Sequence, residues 1–299
     1  MRTVVATLVV LIIILAVYNP LCGALLGAAM IMCLHICTHG GADMLSIAAV
    51  GRPSIYGGGV IKAFAEGVQA KGAPSVIFIS GLGDDHESWT FTSKASEAAK
   101  KRWAFSSPGT GVQGPVSAVT RTLSVDWPGS GESPPWGVGM QPDSLEEEAA
   151  VILHEAKDAG LRPLYVVVAH SFGCHVALAM RGRYRDMIKG LILIDPTPYS
   201  AYASLPKNMD ESNSKRISVG SKSIQGFDRG EILGADDIVV HVDVVPEDAP
   251  ERHVTRNRAN LKEYNTMFSH VIPHDGATHH IHISEPHSIV QSILEMVQK

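Results

Sequence analysis

A β-branched, apolar run from Leu164 to Val168 breaks off into Ala169-His170-Ser171-Phe172-Gly173. Helix-compatible sequence follows at once, from Cys174 to Arg181. No other stretch constrains the fold as strongly. A chain that passes from strand to helix within so few residues must turn sharply, and the residue at the turn is held exposed on strained backbone. Small residues two before and two after Ser171 let the two backbone segments approach closely. Here they are Ala169 and Gly173, so the pattern is A-x-S-x-G, with a methyl group where G-x-S-x-G has none. This is the setting of a nucleophile elbow, with Ser171 as the candidate nucleophile. The plain structural alternative is a serine that caps a helix after a buried strand.

The flanking sequence continues the alternation. Val60 to Ala65, Ser75 to Ser80, Ala118 to Val125, Leu191 to Ile194, Ile238 to Val245 and His270 to Ile272 read as strands. Ser93 to Trp103, Asp143 to Ala159, Glu251 to Tyr264 and Pro286 to Val297 read as helices. The second begins with acidic residues where the helix dipole favours them and stops at Gly160. Ser106 to Pro115 is rich in Gly, Ser and Pro and reads as a loop, and residues 197–235 are polar and irregular. Strands alternating with helices predict an α/β fold: a mostly parallel central sheet flanked by helices.

The N-terminus is of another kind. From Thr3 to Tyr18 and from Leu21 to Cys37 there is no Asp, Glu, Lys or Arg, and Asn19-Pro20 divides the two runs. A bilayer takes about 20 apolar residues, whereas the apolar region of a cleaved signal peptide is about 7–15 residues long. Residues 1–37 are therefore expected to form an uncleaved membrane anchor, either one span kinked at Pro20 or two short ones. Arg2 precedes the segment and the next basic residue is Arg52, so a single span would put the N-terminus inside and the body on the far side. Residues 38–53 form a small-residue linker, and 54–299 the α/β domain. The net charge of −5, with no basic stripe, argues against nucleic-acid binding. Three of the four cysteines lie in the apolar N-terminus, so the body holds only Cys174 and its fold does not depend on a disulfide.

Four separated segments of the body resemble the α/β-hydrolase fold family, in the family's order. They are Ser80-Gly-Leu-Gly-Asp84, similar to the family's oxyanion turn, and Asp126 to Ser133, similar to D-x-x-G-x-G-x-S. The others are Ala169 to Gly173 and Gly276-Ala-Thr-His279 with His282 and Pro286, similar to G-x-x-H…H…P. The resemblance runs from about residue 54 to the C-terminus. It implies a serine hydrolase of the esterase or lipase-like branch, cleaving an ester-like bond through an acyl-enzyme without a cofactor. The serine argues against the branches of this fold whose nucleophile is Asp, the haloalkane dehalogenases and epoxide hydrolases. Other reactions of the same nucleophile, C–C hydrolysis or acyl transfer, stay open. So does a non-catalytic, membrane-tethered binding protein, which the Ala169 departure would fit.

A serine hydroxyl needs a neighbouring base. The resemblance assigns that role to His279, which alone among the crowded tail histidines has the right spacing to His282 and Pro286. It also implies an oxyanion hole formed by the backbone amides of Leu82 and Phe172. Asp84, Asp85 and His86 are expected at the rim of the first turn. The acid is either Asp195, at the end of Leu191 to Ile194, or Asp248, after Ile238 to Val245, where the G-x-x-D turn of most members is missing. No H-E-x-x-H pattern or cysteine partner accompanies the histidines, so no metal is expected. The polar stretch 197–235 is suited to a small lid. The expected partners are a small-molecule ester or lipid-like substrate and, through the N-terminal segment, a membrane.

Overall fold

The computed structural model describes residues 61–90, 111–135, 142–198, 216–218, 237–245, 250–275 and 277–299. The anchor expected at 1–37, the linker at 38–53, the helix expected at Ser93 to Trp103, most of 197–235 and Asp248 lie outside them. Among the described residues no helix is long and apolar enough to cross a membrane.

Among the described residues, seven strands form one sheet. They are β1 (Lys62–Glu66), β2 (Ser75–Ile79), β3 (Thr122–Asp126), β4 (Tyr165–His170), β5 (Ile188–Ile194), β6 (Ile238–Val244) and β7 (His270–Asp275), in the order β1-β3-β2-β4-β5-β6-β7. Only β1 runs antiparallel to its neighbour; every other pair is parallel. Val168 stands between Phe78 and Ile192, and Ala169 between Ile79 and Leu193.

The central strands β2, β4 and β5 are buried along almost their whole length and mostly apolar, because both faces are covered. Val76, Phe78, Val166, Val168, Ile192 and Ile194 share one face with Trp89, Ile281, Ile289 and Ile293. These partners come from the short helices α1 (Glu87–Thr90) and α6 (Ile281–Ser284) and the closing helix α7 (Pro286–Gln298). Residues of opposite parity, Ile77, Ile79, Val167, Leu191 and Leu193, are equally buried. On the helix side, α4 (Gly173–Arg183) lies against β2, β4 and β5 and against α3 (Leu145–Asp158). Helix α3 starts where Ser144 Oγ accepts the Glu147 amide at 3.1 Å, while Glu147 Oε2 accepts the Asp143 amide at 2.9 Å.

Three local expectations are corrected. Part of the stretch read as a loop is helical (α2, Gln113–Ser117), and the following strand begins at Thr122 rather than Ala118. Ala118 and Val119 mimic a strand start, but the amides of Val119 and Thr120 close a turn on the Val116 carbonyl. Strand β5 begins at Ile188 rather than Leu191, because Ile188 and Gly190 pair with Tyr165 and Val166 of β4 across a register shift that leaves out Lys189. Helix α5 (Glu251–Met267) completes the described fold.

The strand-to-helix turn depends on close packing. A Cβ at Gly173 would lie 2.7 Å from the carbonyl oxygens of both Ile79 and Ser80, backbone atoms that cannot rotate away. Gly173→Ala is therefore expected to cost about 1–3 kcal/mol through overpacking. Thermal unfolding followed by circular dichroism should show a lower Tm; an unchanged Tm would contradict this account of the turn.

Candidate active site

The site is assembled from segments that leave the C-terminal ends of β2, β3, β4 and β5 and from the segment after β7. Ser171 follows β4 with φ +50°, and Asp195 follows β5 with φ +38°; among the described residues they are the two non-glycine positions with positive φ. Such backbone costs on the order of 1–3 kcal/mol and persists only where its surroundings over-determine it. Here they do. The Ser171 amide donates to the Ile194 carbonyl at 2.9 Å, its carbonyl accepts the Cys174 and Thr197 amides, and the Asp195 amide donates to His241 at 2.7 Å.

These constraints bring three predicted residues into line. His279 Nε2 lies 3.0 Å from Ser171 Oγ, and His279 Nδ1 lies 2.5 Å from Asp195 Oδ2. The other oxygen of Asp195 accepts the Asp243 amide at 3.4 Å, which orients the carboxylate. Burial by itself would lower the pKa of His279, but the hydrogen bond and charge of Asp195 outweigh it and raise the value above 6.5. The His279 side chain remains about half exposed, at 48%, so a substrate can reach it. Asp243, one strand away, is pushed up to about 6 by burial and by the charge of Asp195.

Leu82 and Phe172 flank Ser171. A Cβ at Gly81 would sit 3.1 Å from Ser171 Cβ, so the turn that carries Leu82 runs against the elbow. Phe172 is the N-cap residue of α4, placing its backbone at the positive end of the helix dipole. The turn is braced from β3. Asp126 accepts the amides of His86 at 2.6 Å and Glu132 at 2.8 Å, Ser133 Oγ donates to the Asp126 carbonyl at 2.6 Å, and Ser130 Oγ donates to that of Asp84 at 2.7 Å. Asp84 and Asp85 are buried rather than solvated at the rim, with exposures of 8% and 7%.

Several neighbours carried no sequence signal of their own. Thr197 Oγ1 lies 3.3 Å from Ser171 Oγ, and the Thr197 carbonyl is 2.8 Å from Nε2 of the buried His175. Arg216, from the polar 197–235 stretch, pairs with the buried Glu148 at 3.2 Å and lies over the rings of Trp127 and Phe172 at 4.5 and 4.9 Å. Cys174 is buried with its thiol pKa pushed up, which makes it inert. Burial lowers His170 and His175 to about 4 and His241 to about 3, and lowers His282 as well. His279 is raised instead, and with it His86, where the bond and charge of Asp126 outweigh burial.

Two groups could supply donors to a metal, Asp85–His86–Asp126 and Asp84–His170–His280. In the first, His86 Nδ1 already lies 3.0 Å from both Asp126 oxygens, which also hold backbone amides.

Residues 76–291 match the family model described as alpha/beta hydrolase family. No curated protein matches. Among solved structures, a Pseudomonas aeruginosa protein described as a "putative epoxide hydrolase" superposes with a TM-score of 0.54. It is 12% identical, over 80% of this chain and 91% of that one. AqDC, described through its recognition and ring cleavage of the Pseudomonas quinolone signal, superposes with a TM-score of 0.53. It is 14% identical, over 80% of this chain and 96% of that one. At such identities the likeness is one of fold. With the sheet order, the turn after β4 and the family match in agreement, the chain belongs to the alpha/beta hydrolase family.

Proposed function

We propose that the protein is a serine hydrolase that cleaves an ester-like bond through an acyl-enzyme. The observation that carries this reading is the line from Asp195 Oδ2 through His279 to Ser171 Oγ, with contacts of 2.5 and 3.0 Å. In this reading His279 Nε2 takes the Ser171 proton as Oγ attacks the substrate carbonyl carbon. The amides of Leu82 and Phe172 face the oxyanion, where one such donor is worth about 2.7–4 kcal/mol. His279 then gives the proton to the leaving group, and water activated by the same imidazole releases the acyl group. Asp195 holds the ring in its productive tautomer and stabilises the imidazolium. Residues 197–235 would act as a lid, with Arg216 as its tether over Phe172. Lipid-like esters are the favoured substrate class, because the apolar segment 1–37 would hold the enzyme at a membrane.

A fluorophosphonate probe should label the wild type and leave Ser171→Ala unlabelled. On the best substrate from a series of esters of increasing acyl length, Ser171→Ala should lose about four to six orders of magnitude in kcat. Asp195→Asn should lose about 10⁴-fold. A folded but unlabelled wild type would favour a binding protein. Labelling without turnover of any ester would point to C–C hydrolysis or acyl transfer.

The pH profile tests the base. His279 must be neutral to accept a proton, and Asp195 raises its pKa, so kcat/KM should climb with pH on a limb centred above 6.5. Removing the charge in Asp195→Asn should move the limb of the residual activity to lower pH; a limb that does not move would sink the assignment.

Localisation is tested separately. The full chain should stay in the membrane pellet through alkaline carbonate extraction, and release into the supernatant would refute the anchor.

A further inference from the structure

Behind the Ser171–His279 pair the same segments meet a second time. His170 Nδ1 lies 3.3 Å from Asp84 Oδ2, and His280 Nε2 lies 3.4 Å from the same oxygen. All three donor atoms are within 4.8 Å of one another. Asp84 and His170 are buried, at 8% and 1% exposure, and His280 is half-buried.

The chemistry of His170 is the telling part. Its Nε2 lies 2.9 Å from the carbonyl oxygen of His279. A carbonyl only accepts, so Nε2 carries the hydrogen, and in the neutral ring Nδ1 presents a lone pair. That Nδ1 makes no hydrogen bond among the described residues, although it is fully buried and faces a carboxylate oxygen. Two electron-rich atoms aimed at one gap call for a positive centre between them. An imidazole that donates one N–H to a backbone carbonyl and offers its other nitrogen bare is the usual arrangement of a metal-binding histidine. The spacing agrees. Bonds of about 2.0–2.1 Å at tetrahedral angles put neighbouring ligand atoms ~3.3 Å apart. The gap is also kept open, because a Cβ at Gly81 would press on His170 Nδ1 at 3.0 Å and on Asp84 Oδ2 at 3.3 Å.

We propose that Asp84, His170 and His280 form a binding site for a divalent transition-metal ion of the Zn²⁺ type, with its fourth position open on the His280 side. Two imidazoles and one carboxylate suit zinc and its first-row neighbours and disfavour Ca²⁺ and Mg²⁺, which take oxygen ligands. This departs from the sequence-based expectation of no metal, which looked for contiguous ligand spacing. The three ligands are positioning residues. Asp84 lies two residues after Leu82, His170 immediately precedes Ser171, and His280 immediately follows His279. One ion therefore ties the oxyanion turn, the elbow and the histidine segment together, and the site stands whatever reaction Ser171 performs.

The test uses the full chain in detergent, stripped with a chelator and dialysed. Isothermal titration with Zn²⁺ should give one tight equivalent per chain, and Co²⁺ should produce the visible absorption of a four-coordinate ion. At a hundredfold excess of Zn²⁺ over Kd, Tm should rise by about 5 °C or more. His280→Gln and Asp84→Asn should each weaken binding at least about 100-fold, while Ser171→Ala keeps it. His280 is partly exposed, so its variant remains informative even if the Asp84 variant fails to fold. The chain has 14 histidines, and weak binding at several sites that is unaltered in His280→Gln would overturn the proposal. So would the absence of any stoichiometric binding.

Discussion

The close approach of the turn after β4 to the end of β2 is the contact on which the rest of the site depends. Gly173 rests against the Ile79 and Ser80 carbonyls, leaving no room for a Cβ. With that contact in place, helix α4 starts two residues after Ser171, which sits at φ +50°. The strain is local, and its support comes from neighbours: β5 receives the Ser171 amide, and the segment after β5 returns to cap the Ser171 carbonyl through Thr197. A packed parallel sheet is stiff enough to sustain this, since its central strands are buried on both faces.

Around that turn the connecting segments are also held by polar contacts. Asp126 gathers backbone amides from two segments, and His175 Nε2 lies 2.8 Å from the carbonyl of Thr197. Each satisfies a group that burial would otherwise leave costly. The electrostatics follow the same division. Burial keeps His170, His175, His241 and His282 neutral, whereas His279 faces Asp195 and gains basicity. Among these clustered imidazoles, the one that touches Ser171 is thereby set apart by its raised pKa.

Much of this was legible from residue order. The run Leu164 to Gly173 announces strand, turn and helix because β-branched residues and small residues have incompatible backbone preferences, and the structure has β4, the elbow and α4 there. Helix α3 was readable from its acidic first turn and Gly160. Short elements such as α1 and α6 were not, because four residues carry no period. The start of β5 was obscured by Lys189-Gly190, where the register against β4 shifts and propensity gives no strand signal.

By itself, then, the sequence determined the α/β alternation, the serine at the turn and the late histidine, because these rest on local backbone chemistry and on spacing along the chain. It left the acid open between Asp195 and Asp248. Only the tertiary structure put a particular carboxylate, that of Asp195, against His279, since that contact spans 84 positions and depends on where β5 stops. The same holds for Asp84, His170 and His280, which are far apart in the chain and share one gap only because β2, β4 and the segment after β7 end at the same edge of the sheet. Local preferences act over a few residues. The meeting of side chains from distant segments is set by strand order and register, and these depend on packing across the whole sheet.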